Sequence, residues 1–277
     1  MKIYAFADES SSLIKGQINA LKRNHLDGLE IRDVEGTNIS KISEEKAKEI
    51  KNSFDEEGLE IWSIGSPIGK VDIKTYDFNT HIETFKHTLE IAKILDAKNI
   101  RIFSFYTPKG ENIDDYKDEI IDRLGTFLNI ASRYELDLCH ENEKGIFGED
   151  DKHCKMILDA LPELKGIFDP ANFVQCNVDT IKAWEMLKSR IKYLHIKDCI
   201  KGGNVVPAGK GDGNLPYIIK DFEKLGGDHL TIEPHLSLFD GLATLEREGE
   251  KSNIGNFVYS SKEEAFDEAC NALKKLI

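Results

Sequence analysis

The chain has 277 residues, 40% of them hydrophobic and 31% charged. That length is close to the roughly 250 residues of one (β/α)8 barrel, and the composition suits a soluble protein with a large core and argues against disorder. The formal net charge of −13 leaves no overall basic excess for gripping nucleic-acid phosphates, and no apolar run approaches the ~20 residues that span a bilayer.

The chain opens MKIYAFADES. One Lys, a short apolar stretch and then acids read as a first strand over Lys2–Ala7, not as a signal peptide. A second strand is predicted at Gly28–Arg32, and Ser43 opens a helix at SEEKAKEIKNSF. The third strand is Leu59–Ile64. The helix after it starts at Thr80, which with Glu83 has the spacing of a capping box, and carries Ile82, Phe85, Leu89 and Ala92 on one face. Strand four, Asn99–Phe105, leads to a helical stretch at Ile113–Tyr134 with Ile120, Leu124, Phe127, Leu128 and Ala131 at helical spacing. Strands five to eight are Leu136–Glu141, Leu164–Asp169, Ile191–Lys197 and His229–Pro234. Ser261 and Glu264 form a capping box before the last helix. Cys139, Cys154, Cys176, Cys199 and Cys270 are scattered and contain no C-x-x-C pair, which predicts reduced thiols and a cytoplasmic protein.

Eight strands alternating with helices predict a parallel sheet. An open doubly wound sheet would carry a Gly-rich phosphate loop after its first strand, whereas Asp8, Glu9 and three serines stand there. We therefore expect an α/β protein, a single (β/α)8 TIM barrel over residues 1–277, with long loops at 199–216 and 234–261 over the C-terminal face, where such barrels build their active sites. Gly209, Gly211 and Gly213, in AGKGDGNLP, lack the Walker spacing and are expected to permit tight turns in a loop closing on that face.

Polar residues gather at the predicted C-terminal strand ends. Strand five ends CHENE, strand six FDPAN, strand seven LHIKD and strand eight TIEPH. Residues two apart on a strand share a face, so Glu141 with Glu143, His195 with Lys197, Glu233 with His235, and Glu30 with Arg32 are each expected to point inward together. Any one acid there can be a helix N-cap, and Glu30 with Arg32 can be an ion pair at the rim. Four successive strands ending in a potential ligand, each after an apolar run, favour a different reading. Bare carboxylates converging in a cup repel one another, and a divalent cation removes that cost. Glu141, Asp169, His195 and Glu233 are therefore the predicted metal ligands. Three carboxylates and an imidazole without sulfur suit Mn2+, Mg2+ or Co2+ and permit Zn2+. Arg32, Lys70, Arg101, Lys109 and Lys197 lie near strand ends and can hold sugar hydroxyls or a phosphate. Phe105, Tyr106 and Trp62 can stack on a sugar or pack the barrel.

At HEN, FDPAN, HIKD and IEP the chain resembles the xylose isomerase-like barrel superfamily of sugar isomerases and epimerases, and the resemblance spans essentially the whole chain. In ketose 3-epimerases of that superfamily the corresponding Glu, Asp, His and Glu bind one metal, often Mn2+, and the two glutamates transfer protons. The resemblance thus implies catalytic roles for Glu141 and Glu233, with Asp169 and His195 as the remaining ligands. It implies an enediolate reached by proton abstraction next to a polarised carbonyl. Arg32, Lys70, Asn172, Lys197, Glu143 and His235 complete the expected substrate contacts. Two departures stand out: Asn172 occupies the position of a substrate-touching His, and Lys197 and Lys201 stand where an Arg is common. The expected partner is a small sugar or sugar phosphate, with no nucleic acid and no membrane, in a homodimer or homotetramer. The rival readings are a sugar or inosose dehydratase on the same site, an endonuclease IV-like nuclease, and a non-catalytic sugar-binding barrel.

Overall fold

The structure is a computed structural model and describes residues 1–239, 242 and 259–277. Eight strands are named here in chain order: β1 (Lys2–Ala5), β2 (Gly28–Ile31), β3 (Glu60–Ile64), β4 (Asn99–Ile102), β5 (Asp137–Glu141), β6 (Lys165–Phe168), β7 (Ile191–Ile196) and β8 (His229–Ile232). They close into one parallel barrel, with each strand beside its neighbours in sequence and β8 returning to β1. The (β/α)8 expectation is met. Each strand is one to three residues shorter than predicted; at β2, β6, β7 and β8 the residues lost include the polar group or its neighbour at the C-terminal end, whereas β3 and β5 lose only their first residue.

The helices around the barrel start where local chemistry satisfies their first N–H groups. Ser43 caps α2 (Glu44–Glu56) by accepting from the Lys46 N–H. Ser261 caps the last helix, Lys262–Lys274, by accepting from the Glu264 N–H. The expected start at Thr80 is corrected. Asp77 is the cap, its carboxylate accepts from the Thr80 N–H at 2.8 Å, and the helix begins at Phe78. A carboxylate three residues upstream reaches the free N–H groups first and complements the positive end of the helix. The predicted helix at Ile113–Tyr134 divides into a 3-10 turn, Ile113–Tyr116, and an α-helix, Lys117–Ala131.

Two cores result. The larger lies between strands and helices and includes Phe54, Phe85, Phe127, Phe168, Trp184 and Phe266. The smaller lies inside the barrel, where Cys139, Ile167 and Tyr193 meet. Trp62 stacks on Tyr4 and His229 and meets Tyr193 edge-on, so it packs the barrel. Phe105 packs against Phe78, Phe127 and His81 in the outer core. No helix of the described residues is long and apolar enough to cross a membrane.

The loop at 199–216 is built on one carboxylate. Asp198 accepts from the Gly209, Gly211 and Gly213 N–H groups at 2.9, 3.0 and 3.0 Å. The expectation of three turn-forming glycines is met only at Gly209, where φ is +82°. At Gly211 and Gly213 a Cβ would lie 2.3 and 2.7 Å from the Asp198 carboxylate, so those positions are glycine to let an acid approach. Of the long loop at 234–261, residues 240–241 and 243–258 lie outside the described residues.

Candidate metal centre

The register of the last four strands brings their polar ends to one place. Phe168 pairs with Leu194 and Ile232 with Ile196, so Asp169 comes level with His195 and Glu233 with Lys197. The ligand atoms of Glu141, Asp169, His195 and Glu233 all lie within 4.8 Å of one another, and all four side chains are buried. Asp169 does two jobs. Its Oδ1 accepts from the Asn172 N–H at 3.0 Å as the cap of the short helix Pro170–Gln175. Its Oδ2 accepts no hydrogen bond and faces the Lys197 ammonium at 2.9 Å.

Every acid in the cup has a fixed neighbour. Glu141 accepts from Arg101 at 3.1 Å and lies 2.8 Å from His195 Nδ1. Glu233 accepts from Lys197 at 2.7 Å and from Arg32 at 3.2 Å. Arg32 also donates to Asp8 and Glu9, and its guanidinium lies between the Phe6 and Phe239 rings. Arg101 lies between Phe6 and Phe103. An aromatic face on either side leaves a guanidinium only its in-plane donors, which fixes where it points.

Charge sets the protonation of the cup. Burial disfavours an ionised Glu141, but His195 and Arg101 outweigh it and hold the pKa down to about 2. Lys197, His235, His195 and Arg32 likewise hold Glu233 well below the usual carboxylate range against its burial. Asp169 differs: burial pushes its carboxyl up to about 7 despite Lys197, and Glu233 and Glu141 add to the push. Burial also opposes charge on His195, yet Glu141 and Glu30 carry its pKa up to about 10.

These residues fit a divalent cation. The buried carboxylates Asp8, Glu9, Glu30, Glu141, Asp169 and Glu233 outnumber the permanent cations Arg32, Arg101 and Lys197. Asp169 Oδ2 is buried there without a hydrogen bond. Three oxygens and one ring nitrogen, without thiolate, are a donor set for a hard or borderline divalent ion. Glu9, Glu233 and His235 form a second group of potential ligands, but there the Arg32 guanidinium pairs with both Glu9 and Glu233 and places a fixed positive charge beside them.

The other expected site residues are distributed as follows. Lys197 is in the cup. Arg32 is in the cup wall, bound to three carboxylates. His235 lies against Glu9, Nδ1 to Oε1 at 2.9 Å, and its backbone N–H donates to Glu9. Lys70 and Glu143 pair with each other at 2.8 Å, with Lys70 over the Phe103 ring. Asn172 donates its side-chain N–H to the Asn142 carbonyl, while the Asn142 amide clamps both backbone groups of Asp169. Lys109 is exposed on its loop. An ion pair between Glu30 and Arg32 at the rim is a reading the structure corrects. Glu30 is fully buried below the cup and bonds to Tyr193 and His195, because Arg32, one step further up the same face, reaches outward to the acids after β1. Sequence reasoning assigned no role to Asp8 and Glu9. Their signal was an acid pair directly after an apolar strand, in a protein whose other strand ends carry the cup.

The sequence profile of the xylose isomerase-like TIM barrel family matches residues 18–276. The chain belongs to that family. No curated protein is similar enough in sequence to count as a match. Among solved structures, the zinc-bound IolI protein superposes with a TM-score of 0.78 at 16% identity, covering 100% of this chain and 98% of that one. A D-psicose 3-epimerase from Clostridium cellulolyticum H10, solved with D-tagatose, gives 0.72 at 15% identity, covering 99% and 98%. AsbF of Bacillus anthracis, described as a probable 3-DHS dehydratase, gives 0.73 at 16% identity, covering 99% of each chain. At such identities the likeness is one of fold.

Proposed function

We propose that this xylose isomerase-like barrel is a divalent-metal-dependent enzyme that isomerises or epimerises a small sugar or sugar phosphate by proton transfer. The observation that carries the reading is the convergence of Glu141, Asp169, His195 and Glu233, with ligand atoms within 4.8 Å of one another. A bound Mn2+, with Mg2+, Co2+ or Zn2+ as alternatives, would polarise a substrate carbonyl and acidify the neighbouring C–H bond. The chain's own groups supply the proton traffic. Glu141 and Glu233 are held ionised, as a base must be before it takes a proton. They stand on β5 and just after β8, three strands apart in a closed eight-stranded ring, so they face a shared substrate from different sides. If one glutamate removes a proton and the other returns one to the opposite face, the product is an epimer. If the proton returns to the adjacent carbon, the product is an aldose–ketose isomer. Arg101 and Arg32, each donating to one of these carboxylates, keep the two bases in position. The D-psicose 3-epimerase among the fold neighbours supports the same class of substrate.

Lys197 favours a second reading on the same site. Its ammonium lies between Glu233 and Asp169 and is an acid able to protonate a departing hydroxyl, which would make the enzyme a dehydratase. One experiment separates these outcomes. The Mn2+-loaded protein is incubated with ketohexoses in D2O, and deuterium at carbon and the products are followed by NMR. Epimerisation or isomerisation incorporates deuterium without loss of water, whereas dehydration gives a new ultraviolet-absorbing product. Glu141→Gln and Glu233→Gln should each lower the rate by about 10²–10⁴-fold. Normal rates in both variants would overturn the proposal.

A further inference from the structure

The most informative group outside the four ligands is Glu30. It comes from β2, yet its carboxylate crosses the barrel interior to β7. Glu30 Oε2 is 3.1 Å from His195 Nε2, and Glu30 Oε1 accepts the Tyr193 hydroxyl at 3.1 Å. The Tyr193 oxygen is in turn 3.1 Å from Ser63 Oγ. Glu30, Tyr193, Ser63 and His195 are all fully buried. Tyr193 and His195 are two apart on one strand, so one carboxylate spans both.

This chain has a direction. A tyrosine hydroxyl has a single hydrogen. With that hydrogen on Glu30, Ser63 donates to the Tyr193 oxygen, and both oxygens of Glu30 are left as acceptors. His195 must therefore present an N–H at Nε2. Its other nitrogen, Nδ1, faces the cup, 2.8 Å from Glu141 Oε1 and 4.0 Å from Glu233 Oε2. Both ring nitrogens thus face a carboxylate, but only Nδ1 opens on the cup, so a cation there would take the place of the Nδ1 hydrogen while Glu30 holds the hydrogen on Nε2.

We infer that Glu30 is a positioning residue that holds the ring of His195 and the hydrogen on its Nε2, so that Nδ1 is the nitrogen offered to a divalent ion, and that it thereby tunes the affinity of the four-ligand site. The inference rests on the metal reading made above and adds a residue that does not touch the ion. A carboxylate behind a ligand histidine fixes the ring and strengthens it as a donor, and its loss typically lowers metal affinity about 10–100-fold. The same carboxylate forms part of the barrel's packing, so a loss of affinity in a single variant would not separate positioning from damage to the fold.

The test is a cycle of Mn2+ affinities measured by calorimetry on the full-length chain, with no substrate and no turnover. Glu30→Gln and Glu30→Leu should weaken binding about 10- to 100-fold, Leu more than Gln. Tyr193→Phe, which leaves the contact between Glu30 and His195 intact, should change it less than about threefold. The deciding arm is Glu30→Leu in a His195→Gln background. Positioning through His195 predicts that the Glu30 effect shrinks below about twofold there, because the group it acts on is gone. An equal loss in both backgrounds would overturn the inference and leave Glu30 a purely structural residue. Unchanged affinity in both Glu30 variants would overturn it as well, with the metal site intact. A wild-type chain that binds no Mn2+ would instead remove the metal reading itself, and the inference with it.

Discussion

The two ends of the barrel interior are built on opposite principles. At the N-terminal end Tyr4, Trp62 and His229 stack, and Cys139, Ile167 and Tyr193 pack above them. At the C-terminal end Glu141, Asp169, His195, Lys197, Glu233, Arg32 and Arg101 are equally buried but ionisable. The floor is held by contact area, which depends little on pH or salt. The mouth is held by ion pairs, whose attraction barely repays the desolvation of their members. One chain tolerates such a mouth because the floor and the outer core supply the stability. The mouth is thereby left free to present carboxylates that a cation can bridge.

The sharpest way to break this contrast is to remove one charge from the mouth. Lys197→Met leaves Asp169 and Glu233 without their shared ammonium. The metal-free protein should lose about 3–5 kcal/mol of unfolding free energy, as when one partner of a buried pair is deleted. Mn2+ at a hundred times its dissociation constant should return about 2.7 kcal/mol, with tighter binding than in the parent because a competing positive charge is gone. Urea unfolding with and without Mn2+ reads both effects. An unchanged metal-free stability would mean that the mouth is not held by charge.

A floor substitution should behave in the opposite way. Trp62→Ala opens a cavity among Tyr4, His229 and Tyr193 and should cost about 3 kcal/mol. Mn2+ affinity should stay within about twofold, since no cup residue touches the ring. A tenfold loss of affinity by calorimetry would show that floor and mouth are coupled.

The smallest effect sharpens the comparison through pH. His81 lies on the helix Phe78–Ile94 and His140 on β5, and burial lowers each pKa from 6.5 to about 4, with Arg123 adding to the effect at His81 and Glu141 opposing it at His140. Both are therefore neutral when folded at pH values where the unfolded chain binds protons. Their stabilisation is complete above pH ~6.5 and is lost as pH falls towards about 4, at up to about 1.4 kcal/mol per pH unit for each histidine. His140→Gln should flatten the slope of unfolding free energy between pH 6.5 and 5. An unaltered slope would remove His140 from the explanation.

Much of the barrel was legible in the chain. Short β-rich runs alternating with amphipathic stretches report the fold class directly, since each strand and helix carries its own periodicity. The common face of His195 and Lys197 at the end of β7 follows from the two-residue repeat of a strand. Partners across the barrel were not legible. Arg32 stands two residues from Glu30, and the sequence allows a local ion pair between them, but its actual partners are Asp8, Glu9 and Glu233. Thr80 lost its cap role to Asp77 because the competition between two nearby capping groups depends on where the preceding loop lets the helix begin.

By itself, then, the sequence determined the alternation of elements, the apolar faces and the placing of acids and a histidine at successive strand ends, because these are local properties of spacing and residue type. Closure of the ring and the register between strands were needed to decide which of those groups meet, since a one-residue shift in pairing would turn a ligand out of the cup. The contacts of Lys197 with Asp169 and of Glu30 with His195 belong to that second class. They join residues 28 and 165 positions apart, and only the folded barrel brings their charges within reach.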